Sequence, residues 1–231
     1  MLFRSASDPF IAIESDLRQT GNLPPVYEQG ELGSCTGNAI AAAIQYASKA
    51  QSKPNVIPSR LFIYYNERLL EGTVDVDAGA EIRDGIKSVA KEGVCAETVW
   101  PYDISKFTKK PSDKAYKEAQ TGIIKQYSRV PVSQAHIQSV LSHKIPIVFG
   151  CSLYESFNSE EVAKTGMVPM PREDEKYVGG HCMLLVGYTK THFIVQNSWG
   201  SEWGDGGYCY MPIPYLINTY LADDFWAIFL A

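Results

Sequence analysis

The sequence predicts an α+β fold in which a helical lobe is followed by a β-rich one. Two observations carry this. Between Cys35 and Gly93, apolar residues recur at helical spacing in three runs separated by Pro- and Gly-containing breaks. From Ile123 onward the pattern changes to short β-prone runs with turn residues between them. The expected division is an N-terminal arm at 1–15, a helical lobe at 16–112 and a β-rich lobe at 113–231. A cleft between two such lobes is a usual place for a site.

Residues 1–23 show little periodicity and are expected to form an extended arm or strand, which Pro24-Pro25 then stiffens. Gln29-Gly30-Glu31-Leu32-Gly33-Ser34-Cys35 is a tight loop feeding a helix that runs to about Gln51, with Ala39, Ile40, Ala43, Ile44 and Ala47 on one face. A second helix opens at Pro58-Ser59, carries Leu61, Phe62, Tyr65 and Leu69 on one side, and ends at Glu71-Gly72. Asp75 to Ala80 is a loop. A third helix turns Ile82, Ile86, Val89 and Ala90 inward and stops at Gly93. Residues 100–114, rich in Lys, Pro, Ser and Asp, read as the crossing to the second lobe. There, strands are expected at 123–130, 145–153, 183–188, 192–196, 208–211 and 226–230, with a helix at 133–143. The polar stretch 155–180 reads as a long surface loop.

Composition removes several classes of function. In 231 residues with 45% apolar and 20% charged side chains there is ample core for independent folding. The net charge of −5 and the lack of a basic stripe argue against a nucleic-acid partner. No run approaches the ~18 apolar residues of a membrane span, and the first ten residues lack the pattern of a secretion signal. The five cysteines (35, 95, 151, 182 and 209) are odd in number and contain no CxxC pair, which points to free thiols and a reducing compartment. Nothing calls for a metal or a cofactor, and Gly204-Asp205-Gly206-Gly207 precedes a strand rather than a helix, so it is a turn and not a phosphate cradle.

Cys35 sits where loop becomes helix, facing the positive end of the macrodipole, where a thiolate is stabilised. A lone cysteine there would read as a small packing residue. Two later residues change that. His181 stands at the mouth of the apolar run Cys182 to Tyr188, and Asn197 ends the next run. A hairpin around 188–192 brings both to the same end, where a carboxamide can hold an imidazole in one orientation. With Cys35 they form a nucleophile, a base and an orienter. His136, His143 and His192 lack such partners and read as surface residues, while Cys95, Cys151, Cys182 and Cys209 read as buried thiols in helix ends and strands.

These residues resemble the papain-like cysteine peptidases. The resemblance rests on Gln29 before Gly33-Ser34-Cys35, on the His181 strand, and on Asn197-Ser-Trp-Gly-x-x-Trp-Gly-x-x-Gly-Tyr, and it covers about residues 16–230. Ser34-Cys35-Thr36-Gly37-Asn38-Ala39 and the Gly179-Gly180-His181 end of the long loop look more like bacterial, archaeal and giant-virus members. The resemblance implies a helical left lobe, an antiparallel β-barrel-like right lobe and an active-site cleft between them. It implies Cys35 as nucleophile, His181 as general base and acid, Asn197 as orienter, Gln29 with the Cys35 N–H as oxyanion hole, and Trp199 as the cover over the His181–Asn197 bond. Gly79, Ala80, Gly180 and Cys182 would line the substrate subsites. The implied partner is a peptide or protein substrate and the enzyme is expected to be a monomer; the chain's own N-terminal segment, a pro-segment remnant or a short arm lying near the cleft, is a further expected partner. The thiol pattern then leans towards an intracellular or virion-packaged protein.

Three departures stand out. Leu32 replaces a usual cysteine, so that disulfide is absent; Thr36 replaces a frequent tryptophan; and a long inhibitory pro-segment is not present in these residues. Two other readings of the same residues are a different Cys-His-Asn acyl transfer, such as amide exchange or modifier removal, and a catalytically silent peptide-binding module. Intact Gln29, Cys35, His181 and Asn197 speak against the silent module.

Overall fold

In the computed structural model, which describes residues 11–230 apart from 123 and 125, the chain divides into two compact units. The helical unit holds residues 22–24, Gln29–Tyr127 and the chain end from Ile228; the β unit holds residues up to Gly21, Pro25–Glu28 and Ser128–Ala227. Residues 1–10 of the expected N-terminal arm, and Ile123 and Lys125 of an expected strand, lie outside the described residues.

In the helical unit, α1 (Cys35–Ala50) is buried all round its first three turns, which suits its run of small and aliphatic side chains. Helix α2 (Arg60–Glu71) starts where the Ser59 hydroxyl accepts the Phe62 N–H at 3.1 Å, and Gly72 ends it. It packs on both α1 and α3 (Ile82–Glu92), which turns Ile82, Ile86 and Val89 inward as its spacing predicts. Each such side chain contributes about 1.5–3 kcal/mol by leaving water.

The inward face of α2 differs from the expected one. Leu61, Phe62 and Tyr65 are buried, but Leu69 is half exposed, and Arg68 takes the inward position instead. The Arg68 guanidinium lies 4.0 Å from the Tyr64 ring centroid and donates to the Tyr64, Val74, Val76 and Phe107 carbonyls. A planar fork with five donors can close off the carbonyls of a turning chain; a leucine cannot.

The helical unit also runs past the expected crossing at 100–114. Trp100, Tyr102 and Phe107 pack against the buried cluster Leu32, Leu61 and Tyr64, so this polar-looking stretch is a belt around the unit. Helix α4 (Asp113–Ala119), capped by Ser112, follows it, with Tyr116 bonded to Asn66 at 2.8 Å.

The strands β1 (Ser15–Asp16), β2 (Gln126–Arg129), β3 (Ile147–Tyr154), β4 (Tyr177–Tyr188), β5 (His192–Gln196), β6 (Tyr208–Pro212) and β7 (Ala222–Phe229) form one sheet, of which β1, β3, β4, β5 and β6 lie wholly in the β unit. Its order is β2-β7-β3-β4-β5-β6, with β1 on β4. The β3–β4, β3–β7, β4–β5 and β5–β6 pairs are antiparallel. Helices α5 (Gln134–Ser142), α6 (Glu160–Thr165) and α7 (Ile213–Leu216) complete the unit. The arm's last residues are tied to it, since Tyr188 donates to the Ala12 carbonyl at 2.7 Å. The stretch 155–180 is more than a surface loop. Phe157, Val162 and Val168 are buried, α6 lies within it, and β4 begins at Tyr177 because Gly179 and Gly180 pair with Leu153 and Ser152. All five cysteines are free thiols.

One buried acid stands behind the start of α1. Thr36 donates its hydroxyl to Glu67 Oε1, and Oε2 meets no partner among the described residues. Burial lifts the Glu67 carboxyl well above the usual carboxylate range; the Thr36 bond opposes this, and Glu71 and Asp84 reinforce it. The folded chain therefore keeps a proton that the unfolded chain releases as pH rises past the ordinary glutamate value. Stability should fall with rising pH through that window, by up to ~1.4 kcal/mol per pH unit. In Glu67→Gln this component of the slope should vanish from urea midpoints measured between pH 4.5 and 8; an unchanged slope would show that Glu67 is ionised in the fold.

Candidate active site

Within the helical unit, residues 29–35 form a loop held from several sides. Gln29 is buried and its Nε2 donates to the Leu32 carbonyl at 3.0 Å, a carbonyl that also accepts the Ser34 N–H at 2.7 Å. Tyr102 bridges the loop by donating to the Gln29 carbonyl at 2.8 Å while its oxygen also pairs with Ser34 Oγ. Asn38 Nδ2 donates to the Ser34 carbonyl at 2.9 Å, and its Oδ1 accepts from Arg60 at 3.1 Å. Arg60 is fixed in turn by a bidentate pair with Glu97 at 2.7 and 2.8 Å.

Cys35 is the first residue of α1 and is partly exposed. Ser34 stands at the N-cap position, yet its side chain does not cap the helix, because Tyr102 and Asn38 engage the hydroxyl instead. The positive end of the macrodipole therefore keeps its effect on the thiol. Gly79 and Ala80 lie in the same unit. Gly79 has a φ of +72°, and Ala80 packs on the Leu32–Tyr64 cluster.

Within the β unit, His181 Nε2 lies 2.8 Å from Asn197 Oδ1, as the hairpin argument expects. The Ser198 N–H also points at that oxygen, at 2.8 Å. A backbone N–H can only donate, so it identifies the oxygen end of the carboxamide. Nε2 must then be the donor to the same oxygen. In the neutral ring this leaves the lone pair on Nδ1, the nitrogen able to take a proton. Both residues are buried, and burial lowers the His181 pKa to about 4, with the Asn197 bond pulling the other way. Trp199 covers the ring with centroids 5.1 Å apart, and Trp199 is itself held by Phe157 and Trp203. Gly180 is exposed just before His181, whereas Cys182 is buried opposite Gly150.

The residues singled out by sequence thus fall into two sets. Gln29, Cys35, Gly79 and Ala80 belong to the helical unit; Gly180, His181, Cys182, Asn197 and Trp199 belong to the β unit. Sequence reasoning missed the Tyr102 bridge and the Ser198 N–H. The first has no pattern that marks it, while the second is implicit in any residue that follows a carboxamide at a strand end. Among the described residues no group of three or more His, Cys, Asp or Glu is placed to hold a metal ion.

A model of the papain family cysteine proteases matches residues 11–215. The peptidase C1-like protein L477 of Acanthamoeba polyphaga mimivirus is 47% identical over 227 residues, which cover 92% of this chain and 73% of that protein. Mexicain of Jacaratia mexicana is 26% identical, over 84% of this chain and 85% of its own. Among solved structures, xylellain, a cysteine protease from Xylella fastidiosa, matches with a TM-score of 0.90 and 43% identity, covering 99% of this chain and 91% of its own. With its helical unit, its antiparallel sheet unit and these matches along most of its length, the chain belongs to the papain family of cysteine proteases.

Proposed function

We propose that the protein is an endopeptidase that cleaves peptide bonds through a Cys35 thiolate and a His181 imidazolium, brought together across a cleft between the two units. The observation that carries the reading is the His181–Asn197 pair, whose tautomer leaves Nδ1 as the proton acceptor. Family membership supports the nucleophilic role of Cys35, as does its place at an uncapped helix start.

The thiolate attacks the scissile carbonyl and a C–S bond forms. The developing oxyanion accepts hydrogen bonds from the Gln29 amide and the Cys35 N–H. His181 gives its proton to the leaving amine as the C–N bond breaks, leaving a thioester. Water, deprotonated by His181, then attacks that carbonyl and releases the acid and the thiol. Asn197 holds the ring throughout, and Trp199 keeps water from their bond. An extended substrate would run along the backbone of Gly79, with Ala80, Gly180 and Cys182 around the side chain two residues before the cut.

A digest of a peptide library by purified protein tests this directly. Internal cleavages that each add one water, all lost in Cys35→Ala, are expected; removal of terminal residues only would overturn the endopeptidase reading. Gln29→Ala should lower kcat about 100-fold, the scale of one lost oxyanion donor, and near-normal turnover would remove that role.

The His181 ring supplies a third test. Alone, burial keeps it neutral above about pH 4, so an imidazolium at pH 6 requires a thiolate beside it. NMR of labelled histidine should therefore show a protonated ring at pH 6 in the native enzyme and a neutral one in Cys35→Ala. In that variant stability should also fall as the pH drops from ~6.5 towards 4, because only the unfolded chain then takes up the proton. The same protonation state in both proteins would refute the ion pair.

A further inference from the structure

The loop that would carry substrate and the loop that carries Cys35 are joined by a single side chain. The Asp77 carboxylate accepts the Gly33 N–H with both oxygens, at 3.1 and 3.0 Å. Its Oδ1 also accepts the hydroxyl of Tyr64, a buried residue of α2. Arg68, one turn further along the helix, donates to the Val74 and Val76 carbonyls at 2.9 and 3.1 Å, so the chain entering Asp77 is fixed from the same helix.

The approach is close enough to dictate composition. A Cβ on Gly33 would stand 3.0 Å from Asp77 Oδ1, so a larger residue would push the carboxylate away. Two residues on, Gly79 reaches a φ of +72°, where side chains are strained, and lies near the Gly33 carbonyl. Ala80 then packs on Leu32 and Tyr64. Gly33 sits two positions before the nucleophile, and Gly79 is the residue offered to an extended peptide.

We propose that Asp77 is a positioning residue that sets the register between the substrate-carrying backbone at Gly79–Ala80 and the Gly33–Cys35 turn. A peptide held along Gly79 is thereby presented with its carbonyl at the sulfur of Cys35. A misplacement of order 1 Å between a bound substrate and its nucleophile can cost about 100-fold in rate. This inference rests on the peptidase reading above. Asp77 itself is exposed, but removing it takes this acceptor from the buried Tyr64 hydroxyl, at a cost of about 1–3 kcal/mol.

The test compares two fluorogenic amides with the same leaving group, one with four residues before the bond and one with a single residue. Only the longer reaches Gly79. In Asp77→Ala the ratio of kcat/KM, long to short, should fall about tenfold, and Asp77→Asn, which keeps an acceptor for Gly33, should restore most of it. Tyr64→Phe, which keeps the ring under Arg68, should move the ratio the same way by a smaller amount and serves if Asp77→Ala folds poorly. Equal proportional losses on both substrates, or an unchanged ratio in every variant, would overturn the proposal. Failure of the peptidase reading would look different: the native enzyme would cleave neither amide, or Cys35→Ala would cleave both.

Discussion

One hydrogen bond governs the chemistry of the β unit, that from the Ser198 N–H to Asn197 Oδ1. By occupying the carboxamide oxygen with a donor that cannot reverse, it decides which way the amide faces, which His181 nitrogen carries the proton, and which nitrogen can receive one. The cost is visible in the same residue. Asn197 Nδ2 is buried without an acceptor among the described residues, a penalty of about 1–3 kcal/mol that an apolar side chain would avoid. Burial has a second consequence. It disfavours the charged ring and lowers the His181 pKa, while the Asn197 bond pulls the other way.

The sequence disclosed those parts of the molecule in which a periodic or polar pattern is itself the cause of structure. The helix starts at Cys35 and Ser59, the inward stripe of α3 and the β4–β5 hairpin follow from spacing and capping, and they lie where spacing puts them. The His181–Asn197 pair was legible because strand ends on a hairpin must meet. Features that depend on partners remote in sequence were not legible. The belt at 100–114 looks like a linker, since its Lys, Pro and Ser outnumber the three aromatics that anchor it. The early start of β4 was hidden because Gly179 and Gly180 enter the sheet through backbone pairing alone, which leaves no side-chain alternation to read. Phe157 looked like part of a polar loop, yet it is buried under Trp199 and Trp203.

The misjudged face of α2 shows what the apolar pattern conceals. Arg60, Tyr64, Glu67 and Arg68 follow one another at spacings of four, three and one, which places them along one side of a helix. Each acts on the Cys35 region by a different route. Arg60 orients Asn38, which holds the Ser34 carbonyl; Tyr64 bonds the Asp77 carboxylate, which holds Gly33; Glu67 accepts Thr36 directly behind Cys35; and Arg68 fixes the chain leading into Asp77. The residues immediately before and after Cys35 are thus all referenced to one helix. A search for hydrophobic periodicity passes over such a stripe and assigns Leu69 inward by default. A buried polar face is expensive unless its groups are matched, and here Glu67 Oε2 is the oxygen that lacks a partner. The helix that looks like scaffold is the element to which the loop around Cys35 is bonded. Its polar side chains hold the backbone and side chains on either side of Cys35 through Asn38, Asp77 and Thr36.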